Sequence, residues 1–143
     1  MVRVLEQDIA WCAGVIDVLG LVKTRTMETG SELAFVQVSS PLIEVTQQLA
    51  KFTGVQVVMV HRQYNRLGCD QHCTDAHVHV YSETGRWTLV GARAIVFLEA
   101  ILPYVRIKTP DIKATLAKGQ TSPMKEATFK KMKALGWPVG DEK

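Results

Sequence analysis

Cysteine is scarce in this chain. Cys12, Cys69 and Cys73 are its only three among 143 residues. An odd number excludes a fully paired disulfide scaffold and fits a reducing compartment. Long apolar runs are also missing. The longest, 55–60 and 94–102, are broken by Gln56 and Glu99, far short of the roughly 20 residues that span a bilayer. The opening MVRVLEQD meets acidic side chains too early for a secretory leader. These absences predict an intracellular, cytoplasmic protein with no membrane partner. Low-complexity tracts are absent too, which leaves a folded globular chain.

What is present is a chain with enough apolar residues, 47%, for a hydrophobic core of its own. Its net charge of +3 is modest but unevenly placed. Between Arg106 and Lys133 lie Arg106, Lys108, Lys113, Lys118, Lys125, Lys130, Lys131 and Lys133, opposed only by Asp111 and Glu126. Such a basic segment suits a phosphate-rich partner; it also suits a solvated helical tail.

Periodicity predicts a first helix over 8–19, with Asp8 as its N-cap and Ile9, Cys12, Ala13, Ile16 and Leu19 at helical spacing. Two strands, 21–27 and 32–39, flank the hairpin signal Glu28-Thr29-Gly30-Ser31. A second helix is predicted over 41–52, opened by Pro41 and closed by Gly54. Strands follow over 55–64 and 76–90, the latter interrupted at Glu83-Thr84-Gly85. A third helix covers 92–105, a short one 111–118, and a tail helix runs from Ser122-Pro123 to Gly136. The order α-β-β-α-β-β-α is an α+β layout, a four-stranded antiparallel sheet with helices on one face. By composition it divides into a domain over 1–118 and a basic C-terminal tail over 119–143.

Residues 12–20 read Cys12-Ala13-Gly14-Val15-Ile16-Asp17-Val18-Leu19-Gly20. They resemble the LAGLIDADG signature, with Cys12 for leucine and Leu19 for aspartate as the departures. Further on, the stretch from Phe97 to Lys108, containing Ile101-Leu102-Pro103-Tyr104-Val105, is similar to the "ILPYL, then basic residues" ending of that family. The chain thus resembles the single-motif, homodimeric LAGLIDADG homing endonucleases from about Leu5 to Leu116. The resemblance implies a saddle-shaped antiparallel sheet laid along double-stranded DNA. It also implies a dimer in which two copies of the motif helix meet at a dyad. Ala13 and Gly14 carry almost no side chain, so two such helices can approach closely; Trp11, Ala13, Gly14 and Asp17 are the expected dimer contacts. No internal repeat completes the two-fold architecture within one chain, so a second copy must.

The family's divalent metal is held by the acid just before the final glycine. Here that position is Leu19, which offers no oxygen ligand. Asp17 matches the earlier, structural acid, and residues two apart on a helix face different ways. Lys108 falls on a basic residue that the family places near the cleavage centre, while Ser40 and Glu44 align with polar or basic positions, where Glu44 opposes phosphate. The active site is degenerate: no catalytic residue is assigned, and no cofactor is expected, Mg²⁺ entering only if cleavage survives.

For DNA contact the strand pattern and the resemblance together nominate Lys23, Arg25, Gln37, His61, Arg62, Tyr64, Arg66, His77, His79, Arg86 and Lys108; Trp87 follows Arg86 in the same strand. Cys69, His72, Cys73, His77 and His79 are crowded, but the paired CxxC spacing of a zinc site is absent, and no metal site is assigned. The tail helix, with Lys125, Lys130, Lys131 and Lys133, either clamps DNA or docks on the domain. Three functions follow in order: a sequence-specific, non-cleaving DNA-binding protein; an active Mg²⁺-dependent homing endonuclease; an RNA-binding intron-splicing cofactor.

Overall fold

A computed structural model describes residues 4–64, 80–118 and 126–138, with side chains over 4–60, 83–118 and 130–138. Helix α1 (Glu6–Leu19) leads directly into β1 (Gly20–Thr26) and β2 (Glu32–Ser40). Helix α2 (Ile43–Thr53), β3 (Val58–Tyr64) and β4 (Val80–Val90) follow. Helix α3 (Ala92–Ile101), a 3₁₀ turn (Leu102–Tyr104), α4 (Thr109–Lys118) and α5 (Glu126–Ala134) complete the order. The sheet is antiparallel throughout, ordered β1-β2-β4-β3. None of the described helices is long and apolar enough to cross a membrane.

Several boundaries move from their sequence positions for identifiable reasons. Asp8 lies inside α1, where its carboxylate accepts the Leu5 N–H at 2.8 Å, so the helix starts at Glu6. Pro41 precedes α2, because Ser40 Oγ first accepts the Leu42 N–H at 3.0 Å and turns the chain. Gly54 then ends α2 in the left-handed region, φ 70°, as a C-terminal glycine commonly does. Pro103 tightens the end of α3 into the 3₁₀ turn, since proline cannot supply the next helical N–H. The expected break at Glu83-Thr84-Gly85 does not occur: β4 runs unbroken through all three. Gly85 marks a close approach instead, because a Cβ there would collide with the Thr46 hydroxyl of α2.

Strand alternation divides the sheet into two faces. Val22, Ala34, Val36, Val38, Trp87 and Leu89 are buried on the inner face. Against them pack Ile9, Cys12 and Ile16 of α1, Leu49 and Phe52 of α2, Phe97, Leu98 and Ile101 of α3, and Ile112 of α4. Burial pushes the Cys12 thiol up to about 12, with the Asp8 charge adding to it, so Cys12 is an apolar core residue at neutral pH.

An aromatic series joins sheet, helix and tail. Trp87 lies 5.1 Å from Phe97, and Phe97 5.2 Å from Trp137, measured between ring centroids. Both indole N–H groups are satisfied. Trp87 donates to Thr53 Oγ1 at 2.9 Å, and Trp137 donates to the Phe52 carbonyl at 2.7 Å. Met132 and Trp137 are buried in the core shared with residues 4–118; the division at 118/119 is one of composition, not of packing. The tail helix docks on the domain. We expect Trp137→Ala to destabilise the whole fold by about 3–5 kcal/mol, as cavity-forming loss of a buried aromatic does, in a single cooperative urea transition. Loss of α5 alone, with the sheet still melting as before, would show the tail to be independent.

Candidate nucleic-acid interface

The outer face of the sheet begins with β1, where Leu21, Lys23 and Arg25 are exposed while Val22 points inward. Register then fixes which side chains lie beside them. Leu21 pairs with Gln37 and Gln37 with Thr88; Lys23 pairs with Phe35 and Phe35 with Val90. Ser39 pairs with Arg86 and Arg86 with Val58. Lys23, Arg25, Gln37 and Arg86, nominated on three separate strands, thus share one face. Sequence reasoning missed Ser39, Thr88 and Val58, which lie in the same rows. An unbroken period-two reading of β4 would have found Thr88.

The face has internal order. The Lys23 ammonium lies 5.6 Å from the centre of the Phe35 ring, a cation–π contact that holds a flexible side chain across the sheet. Gln37 Nε2 donates to Thr88 Oγ1 at 3.1 Å. Arg86 Nε is shielded from solvent and has no hydrogen-bond partner among the described residues.

By backbone register Arg62 and Tyr64 occupy the rows of Ser82 and Val80, on the alternation of Arg86, whereas His61 occupies the row of Glu83, one position out of phase. Trp87 belongs to the inner face and is fully buried, so it is no DNA contact. Arg66, His77 and His79, with Cys69, His72 and Cys73, lie outside the described residues. Glu44 lines a shallow cleft between α1 and α2 with Trp11 and Phe52, whose rings meet edge to face at 5.9 Å. Ser40 is buried and spent on the turn into α2.

At the end of α1, Asp17 organises the basic loop that follows the 3₁₀ turn. Its Oδ2 accepts the Arg106 N–H at 2.9 Å; its Oδ1 accepts those of Ile107 and Lys108 at 2.9 and 3.0 Å. At the other end of the helix Tyr104 donates its hydroxyl proton to Glu6 Oε1 at 2.7 Å. The structural assignment of Asp17 therefore has a definite form: it holds its own chain. Lys108 is fixed beside α1 through its backbone. Among the other α1 residues, Ala13 is fully buried in its own core. The outward stripe is Trp11, Gly14 and Val18, and a Cβ added at Gly14 would meet nothing within 4 Å.

These features match a known architecture. Among solved structures, 24 chains match this one. One is the homing endonuclease I-CvuI, solved in complex with its target Sro1.3 in the presence of 2 mM Ca. It superposes with a TM-score of 0.52 at 16% sequence identity, covering 94% of this chain and 98% of that one. The fold is the LAGLIDADG homing-endonuclease fold. No family model and no curated protein matches the sequence.

The divalent metal implied by that fold does not suit the residues at the foot of α1. Leu19, its last residue, is partly exposed hydrocarbon, and both Asp17 oxygens already accept backbone N–H groups. The described residues contain no group of three His, Cys, Asp or Glu able to hold a metal ion.

Burial acts to raise the Asp17 carboxyl, but the N–H groups of Arg106, Lys108 and Ile107, with the Lys108 charge, hold it below the ordinary carboxylate range. A depressed folded value gives stability that is complete above about pH 4 and is lost as pH falls through that lower value. Asp17→Ala is expected to cost roughly 1 kcal/mol at neutral pH, as loss of partly exposed hydrogen bonds does. It should also flatten the acid limb of a stability–pH profile measured by urea unfolding. An unchanged acid limb would contradict this role.

Proposed function

We propose that this chain is a homodimeric, sequence-specific double-stranded-DNA-binding protein that does not cleave its target. The observation that carries the reading is the outer sheet face, where Lys23, Arg25, Gln37 and Arg86 stand in neighbouring rows. A twisted antiparallel sheet with alternating polar side chains can enter the major groove, where base edges are distinguishable. Lys23 and Arg25, on the edge strand β1, are suited to backbone phosphates, and Lys108 adds charge beside α1. The similarity to I-CvuI, solved on its DNA target, supports the same use of the sheet.

Dimerisation is read from α1. Its outward stripe holds Trp11, Gly14 and Val18, with Val18 77% exposed, and Gly14 leaves room for another backbone. Asp17 and Ala13, both engaged within their own chain, serve the interface by shaping α1 from behind. The absence of cleavage is read from Leu19, which cannot ligate a hard cation.

The test begins with selection of duplexes from a random library. Binding is expected to fall steeply with salt, and removing Lys23 and Arg25 together should lower the log–log salt slope by about four, roughly one for each of the four phosphate contacts that the dimer loses. Incubated with Mg²⁺, the selected duplex should remain intact; a site-specific break would establish the endonuclease. Structured RNA that displaces the duplex more effectively than DNA would favour the splicing cofactor instead. Gly14→Ala should stabilise the isolated helix by about 1 kcal/mol yet shift sedimentation toward monomer. A variant still fully dimeric would remove α1 from the interface.

A further inference from the structure

Within the DNA-binding reading, on which this inference rests, the outer face does not treat its polar side chains alike. Lys23 spends its charge partly on the Phe35 ring, and Arg25 stands exposed near the β1–β2 turn. Arg86 and Gln37 differ. They sit on the two central strands, β4 and β2, and each is half-buried.

Arg86 is flanked by Ser39 on one side and Val58 on the other. Its Nε–H is shielded from solvent with no acceptor among the described residues, while the residue as a whole is only half-buried, which leaves part of the guanidinium open to a partner. Its planar fork matches the O6 and N7 acceptors of guanine. Gln37 is held by its hydrogen bond to Thr88. That bond uses one amide proton and leaves the second proton and the carbonyl oxygen, the donor–acceptor pair that adenine N7 and N6 require.

Spacing relates the two. Gln37 faces Thr88 and Ser39 faces Arg86, so Gln37 and Arg86 are diagonal cross-strand neighbours, roughly 7–8 Å apart. That distance spans about two base-pair steps at roughly 3.4 Å each.

We propose that Arg86 and Gln37 are the principal base-reading residues of each subunit, and that each half-site holds a guanine and an adenine within about two base pairs. Phosphate contacts from Lys23 and Arg25 set affinity; these two residues set sequence.

Duplex selection from a random library, with wild type and the variants Arg86→Gln, Arg86→Met and Gln37→Ala, tests this. Wild type should enrich a guanine and an adenine at that spacing. Arg86→Met should weaken discrimination at the guanine by roughly 5- to 150-fold, the usual range for one bidentate pair, with the adenine unchanged. Arg86→Gln should move that position from guanine toward adenine, a gain that an unfolded variant cannot show. Gln37→Ala should flatten the adenine alone. The same motif at the same depth from all four proteins overturns the assignment while leaving DNA binding intact. Wild type that binds no duplex overturns both readings together.

Discussion

Side chains alternate along β2 and β4, and the inner set, Ala34, Val36, Val38, Trp87 and Leu89, is committed to the helices. Everything else in the structure follows from that commitment. A one-residue slip would bring Gln37 and Arg86 into the core and turn Trp87 outward, so packing fixes the outer face as firmly as the inner one. Gly85 contributes to the same lock, because its missing Cβ lets Thr46 of α2 settle on the strand. Phe97, clasped between Trp87 and Trp137, extends the lock to α3 and the tail. Polar residues on the outer face thereby acquire defined positions from the packing beneath them.

The second organising element is α1. Its inner side, Ile9, Cys12, Ala13 and Ile16, belongs to the core, and its outer side is apolar with a glycine at the centre. Glu6 and Asp17 tie the two ends of the helix to the segment after α3. The carboxylate of Asp17 accepts three backbone N–H groups in this way, and Leu19, the last residue of α1, offers only hydrocarbon.

Much of the fold was legible from residue pattern. The order α-β-β-α-β-β-α and the sheet with helices on one face were readable from alternation and from Gly54 and Gly30 as punctuation. So was the sharing of a face by Lys23 and Arg25. What was not legible depended on partners distant in sequence. Gly85 reads as a turn until Thr46 is placed above it. Trp87 reads as a surface aromatic until Thr53 accepts its N–H. The docking of Trp137 on Phe52 could not be chosen over a free basic clamp, since a lysine-rich helix with an apolar stripe permits both. The sharing of one face by Gln37 and Arg86 required the β2–β4 register, and Ala13 separates from Gly14 only once the direction of α1 over the sheet is known.

The central claim is that the outer sheet face, not the basic tail, meets the duplex. Nuclear magnetic resonance spectra of the chain with and without its selected duplex test it most directly. The account predicts that the side-chain N–H signals of Arg86 and Gln37 shift strongly, while the indole signals of Trp87 and Trp137 stay in place. Shifts concentrated on Lys130, Lys131 and Lys133 of α5, with Arg86 and Gln37 unmoved, would contradict it.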